Sequence, residues 1–147
     1  MQWCLFELEP GIWGVVDRVI GHLSSQPDKE NSKSIIELGA GSGAISIAIA
    51  TEASLKGLKV SLVAVEKSPA AAEWLNKNIA KYDLPIRVVV EDVATALPDV
   101  KADVVVAVAD ASSLKRNLLF CTQIIDLKVP VVIALTMMDL ARKKGIK

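Results

Sequence analysis

No apolar run in this sequence is long enough to cross a bilayer. A spanning helix needs roughly 18 to 20 such residues, whereas the most apolar stretch, Val104 to Ala109, is closed at both ends by Asp103 and Asp110. The first residues also lack the basic segment and apolar stretch of a secretory signal, so a soluble, cytoplasmic protein is expected. An excess of one charge sign is missing too, since Lys+Arg and Asp+Glu both number 17. Proteins that grip a phosphate backbone cluster their Lys and Arg, and neither nucleic acid nor a membrane surface is an expected partner. Only two cysteines, Cys4 and Cys121, and one histidine, His22, are present. They follow no metal-ligand spacing, so reduced thiols and no metal site are expected.

What the chain does have is apolar bulk: 52% hydrophobic residues and a mean hydropathy of +0.40 over 147 residues. That length suits one domain, residues 1–147. A parallel sheet buried on both faces explains the excess, because its strands are near-continuous Val, Ile and Leu. Such strands are expected at Ser34–Leu38, Lys59–Val65, Ile86–Val90, Asp103–Ala109 and Pro130–Leu135. Between them fall helical segments at Ala44 to about Ala53, from Ser68-Pro69 onward, and at Ser112 to Leu127, with a helical segment at the end. Ser68 is placed to cap its helix and Pro69 to start it. An earlier helix is expected over Ile12 to Leu23, whose apolar residues recur at helical spacing, followed by a polar loop from Ser24 to Lys33. Strands alternating with helices predict an α/β Rossmann-like three-layer sandwich. Its five-stranded parallel sheet should have the order 3-2-1-4-5, counting these five strands along the chain. Ligands bind such sheets at the carboxyl ends of the strands, next to the point where the order reverses.

Those ends carry the candidate site. The first of the five strands runs into Glu37-Leu38-Gly39-Ala40-Gly41-Ser42-Gly43. Glycines there permit a tight turn and close backbone approach, and the next helix offers free N–H groups. Gly39, Gly41 and Ala44 also satisfy G-x-G-x-x-G/A, which leaves dinucleotide binding open. The second strand ends at Val65-Glu66, where a carboxylate can accept hydrogen bonds from both ribose hydroxyls of an adenosine. The third ends at Val90-Glu91-Asp92, followed by Val93.

Together these residues resemble the E/D-x-G-x-G-x-G pocket of class I methyltransferases dependent on S-adenosylmethionine (SAM). The stretches GSGAISIAIA, VAVEKSPAAAEWLNKNIAKY, VVVEDVATALPD and ADVVV narrow the likeness to the glutamine methyltransferases that modify peptide-chain release factors. The resemblance spans about residues 34–107, and Phe6-Glu7-Leu8-Glu9-Pro10-Gly11 is similar to that family's entry segment. It implies SAM as cofactor, held by Glu37, Gly39, Ala40, Gly41, Gly43, Glu66, Asp92 and Val93. In that family the acid at the Asp92 position meets the adenine amino group, and the next backbone N–H meets the ring.

The family's Asn-Pro-Pro-Tyr motif, which holds the substrate nitrogen, should follow the fourth of the five strands. Here the chain reads Ala107-Val108-Ala109-Asp110-Ala111-Ser112-Ser113 instead. Orientation supplies much of the rate of such transfers, so SAM binding with little or no catalysis is expected and no catalytic residue is assigned. From Val108 to Lys147 the sequence resembles the G domain of bacterial ferrous-iron transporter B proteins. Thr136-Met137-Met138-Asp139 stands at the guanine-specificity motif Asn-x-x-Asp, with Asp139 matching and Thr136 replacing the Asn. The chain contains no G-x-x-x-x-G-K-[ST] phosphate loop, so GTPase activity is not expected. Two families meeting near Ala107–Ala109, with residues 1–107 similar to one and 108–147 to the other, suggest an engineered chimera, with a natural fusion left open. Two other readings stay open: an active small protein methyltransferase, and a dinucleotide-binding module.

Smaller features carry less. His22 is expected near a helix end, Trp13 and Trp74 packed on the sheet, Trp3 over its edge, and Asp110 as a weak candidate for the cleft. The expected partner is a small adenosine-containing molecule. Unpaired edges on the third and fifth of the five strands would offer a route to a homodimer.

Overall fold

The computed structural model describes residues 3–7, 12–27, 31–96 and 101–145. In chain order these form β1 (Trp3–Glu7), α1 (Trp13–Ser25), β2 (Lys33–Leu38), α2 (Ala44–Leu55), β3 (Val60–Glu66), α3 (Pro69–Ala80) and β4 (Ile86–Val90). Then come the short α4 (Val93–Ala96), β5 (Val104–Asp110), a 3₁₀ turn at Ala111–Ser113, α5 (Leu114–Ile125), β6 (Val131–Thr136) and α6 (Met138–Lys143). The strands form one sheet, ordered β1-β6-β5-β2-β3-β4, with every pair parallel.

From β4 across to β6, this is the expected 3-2-1-4-5 arrangement. The sixth strand, β1, was not foreseen. It pairs with β6 from Trp3 opposite Val131 to Glu7 opposite Leu135. The edge expected on the fifth apolar strand is therefore covered, and the open edges are β1 and β4. The side chains of β1, Trp3 and Cys4 included, lie outside the described residues.

The sheet is filled on both faces, as its composition requires. One face packs Val16, Val19 and Leu23 of α1, Ile49 of α2 and Leu75 of α3 against Ile35, Leu62, Val104 and Val132. The other packs Cys121 and Ile124 of α5 against Leu38, Val65, Val105, Ala107 and Ile133. Central strands contribute to both because alternate side chains point to opposite faces. At the start of the central pair, the Ser34 N–H donates to Asp103 Oδ2 at 2.8 Å while the Asp103 N–H donates to the Ser34 carbonyl at 2.9 Å, which sets the β2–β5 register.

Two tryptophans depart from expectation. Trp13 is 61% and Trp74 63% exposed. Trp13 is the first residue of α1, at the margin of its buried stripe. Trp74 lies across the helix from the buried Ala72 and Leu75, and Lys77 Nζ stands 4.9 Å from the centre of its ring. His22 lies in the last turn of α1, as expected, and partial burial with nearby positive charge lowers its pKa. Cys121 is a free, buried thiol whose pKa burial raises. Among the described residues, no helix is long and apolar enough to cross a membrane, and no group of three His, Cys, Asp or Glu side chains could hold a metal.

Candidate functional site

The glycine loop leaves β2 through three residues with positive φ: Gly39 at +82°, Gly41 at +57° and Gly43 at +88°. Its first turn is stitched to the neighbouring strand, because the N–H groups of Gly39 and Ala40 both donate to the Val65 carbonyl, at 2.9 and 3.1 Å. Gly43 is constrained twice over. A Cβ there would lie 2.3 Å from Leu75 Cδ1, so its bareness lets α3 pack against the start of α2. The Asn78 side chain of α3 also donates to the Ser42 carbonyl at 2.8 Å.

Glu66 closes the loop from the other side. Its Oε2 accepts the Gly41 N–H at 2.8 Å and its Oε1 accepts the Ser68 N–H at 3.2 Å. Ser68 caps α3 as expected, accepting the Ala71 N–H, with Pro69 next in the chain. A single carboxylate thus fixes both the glycine loop and the turn into α3.

A cleft of about 440 Å³ opens at the carboxyl ends of the strands, a size suited to a small molecule. The structure brings Gly39, Glu66, Asp92 and Val93 together along it, with Leu38, Lys67 and Val108. Ala40, Gly41 and Gly43 do not line it; they shape the loop behind. Helix α5 contributes Asn117, Leu119, Phe120 and Gln123, none of which the sequence marked as site residues. The signal that could have found them is positional: the helix after the strand at the reversal of order borders the cleft.

Glu37 stands apart from its expected role beside a ligand. It is 1% exposed, does not line the cleft, and Oε2 accepts a short hydrogen bond from Ser46 Oγ of α2. Its Oε1 is buried without a hydrogen-bond partner among the described residues. Burial disfavours the charged form and the nearby Glu66 charge adds to this, while the Ser46 bonds oppose it; the pKa rises from 4.5 to about 7. The odd position of the strand turns Glu37 to the α2 face, away from Leu38 and the cleft.

Asp110 is also withdrawn from the cleft lining. Its Oδ1 accepts the Ser112 N–H at 2.8 Å and the Ser112 hydroxyl at 2.6 Å, which shapes the 3₁₀ turn after β5. Thr136 donates to the Ala109 carbonyl at 3.4 Å, and Asp139 is exposed in the first turn of α6.

Several solved structures with this architecture are methyltransferases. A SAM-dependent methyltransferase from Agrobacterium tumefaciens superposes with a TM-score of 0.62 at 14% identity, covering 89% of this chain and 48% of that one. A precorrin-6y C5,15-methyltransferase from Geobacter metallireducens gives 0.58 at 18% identity, covering 90% and 68%. At such identities the likeness is one of fold. In sequence, the chain is 44% identical over 46 residues to the Fe(2+) transporter FeoB of Escherichia coli (strain K12), 31% of this chain but 6% of that protein. The FeoB of Salmonella typhimurium is 41% identical over 46 residues, with the same shares. The family model described as Ferrous iron transport protein B matches residues 59–147, beginning well upstream of the boundary near residue 108 read from the sequence. Because that match covers more than half of the chain, the protein belongs to the ferrous iron transport protein B family, on a sheet folded like that of the methyltransferases.

Proposed function

We propose that the cleft binds SAM or its demethylated product, S-adenosylhomocysteine, in an engineered chimeric chain that performs little or no methyl transfer. The observation that carries this reading is the placement of Glu66 and Asp92 on one cleft beside Gly39, where the strand order reverses. Ribose hydroxyls and an adenine amino group are donors and need acceptors, and two carboxylates supply them. Each Glu66 oxygen already takes one backbone N–H, but a carboxylate oxygen has two acceptor sites, so both remain able to receive a ribose hydroxyl. In this reading Glu66 holds the ribose, Asp92 the adenine amino group, the Val93 N–H the ring, and Gly39 permits close approach.

The donor set also weighs against phosphate-bearing ligands. A pyrophosphate or triphosphate requires N–H donors and positive charge, whereas the lining among the described residues has two carboxylates against Lys67. One such donor, the Gly41 N–H, is already engaged by Glu66. This favours SAM over a dinucleotide or GTP. When bound, SAM would supply an electrophilic methyl group on sulfur. The reading of little turnover rests on the turn after β5, where Asp110 is tied to Ser112 and no Asn-Pro-Pro-Tyr stretch stands. The chimera reading draws support from β5, which pairs with β2 over Val104–Ala107 and with β6 over Val105–Asp110, so a join at Ala107–Ala109 falls within a strand held by β6 throughout. Ferrous-iron transport, named for the relatives, belongs to proteins of which 6% aligns here.

Calorimetric titration with S-adenosylhomocysteine tests the proposal. Binding is expected, and Glu66→Ala should weaken it roughly tenfold or more, the loss of charge-assisted hydrogen bonds. Equal silence of both proteins, or tighter binding of NAD, would overturn it.

A further inference from the structure

The geometry points to Asn117 as the residue that reads the substituent on the ligand's 5′ carbon, by accepting a hydrogen bond from an ammonium group there. This inference rests on the nucleoside reading above and adds to it the residue that recognises the amino group of the 5′ chain. Asn117 lies in the first turns of α5 and lines the cleft. Its Nδ2 donates to the Asp110 carbonyl at 3.1 Å and to the Ser113 carbonyl at 3.0 Å. Both amide hydrogens are thereby used, which settles which end of the amide is nitrogen. The polar atom that Asn117 has left to offer is Oδ1, a pure acceptor whose direction the two bonds hold.

Strand order says which part of a ligand meets it. Asp92 follows β4, Glu66 ends β3, Gly39 follows β2, and Asn117 is anchored to the last residue of β5. These four strands are consecutive neighbours, so the row spans three strand spacings, roughly 14 Å at about 4.8 Å each. A nucleoside with its base at Asp92 and its ribose at Glu66 sends its 5′ substituent past Gly39 toward β5. An acceptor waits there, in a cleft whose charged lining groups among the described residues are two carboxylates and one lysine. That environment suits a protonated amine and opposes a phosphate. The ligand class is therefore a nucleoside with an ammonium-bearing 5′ chain, such as the amino-acid arm of S-adenosylhomocysteine, and neither plain adenosine nor a nucleotide.

The experiment compares S-adenosylhomocysteine with its deamino analogue, in which hydrogen replaces the ammonium, by titration into the unaltered protein and into Asn117→Ala. The unaltered protein should bind S-adenosylhomocysteine at least tenfold more tightly than the analogue. In Asn117→Ala that gap should close while affinity for the analogue stays the same. Equal affinities in the unaltered protein overturn the inference without reference to the variant, so a variant that fails to fold leaves it falsifiable. A variant that weakens both ligands alike overturns it as well, since Asn117 then only shapes the turn. If neither molecule binds the unaltered protein, the nucleoside reading fails and takes this inference with it; if both bind equally, only this inference fails.

Discussion

Glu37 lies in the segment that most resembles a SAM site, yet its side chain serves the core. A carboxyl group with 1% exposure and one oxygen unpartnered among the described residues is held against Ser46 more cheaply as the neutral acid. Its pKa of about 7 in the folded protein exceeds the ordinary 4.5. Between those values the folded state keeps a proton that the unfolded chain releases, so stability falls as pH rises through this window and the loss is complete above pH 7. A tenfold change in a protonation equilibrium is worth about 1.4 kcal/mol, which makes the full effect about 3 kcal/mol. Glu37→Gln retains the shape and an acceptor for Ser46 without the titration. Urea unfolding should find it more stable than the unaltered protein at pH 8, with the advantage largely gone at pH 4.5. An equal effect at both pH values would contradict this account. The pattern E-x-G-x-G-x-G tells nothing of this, because which face of β2 holds a ligand depends on how the strand is covered.

At the scale of elements, the glycine loop depends on the helix that packs behind it. Gly43 combines a φ of +88° with a Cβ position 2.3 Å from Leu75 Cδ1, and it leads directly into α2. Gly43→Ala incurs left-handed strain of about 1–2 kcal/mol plus displacement of Leu75, so a loss of about 2 kcal/mol or more is expected in chemical denaturation. Gly41→Ala meets only the backbone strain, since nothing lies within 4 Å of its Cβ position, and it should lose less. Equal losses would mean that the α2–α3 contact matters little. The central apolar strands were legible from composition because both faces of each are covered, and the Ser68-Pro69 start of α3 from its capping chemistry. β1 was not legible. Five residues, WCLFE, carry no alternation, and their strand character comes from pairing with β6 at the far end of the chain. α4 escaped notice because one turn of VATA has no periodicity to read. Asn117 escaped for a different reason: its role follows from two backbone carbonyls that converge only after β5 and α5 have packed.

At the scale of the whole molecule, β1 changes how copies could associate. It covers the side of β6 that five strands alone would leave open, so β4 is the apolar strand left at an edge, with Val90 53% exposed. Self-association through β4 remains our proposal for a homodimer. Sedimentation should reveal a concentration-dependent dimer that Val90→Lys shifts toward monomer, since an edge lysine opposes pairing; a dimer indifferent to that change would place the contact elsewhere. The broader conclusion is that a chain of the ferrous iron transport protein B family folds on a methyltransferase-like sheet; that its cleft holds a nucleoside is our proposal. The most direct measurement is a crystal structure of the protein soaked with S-adenosylhomocysteine. The account predicts ligand density in the cleft, with the ribose hydroxyls on Glu66, the adenine edge at Asp92 and Val93, and the 5′ chain reaching toward Asn117. An empty cleft at saturating ligand, or a ligand bound away from Glu66, would contradict it.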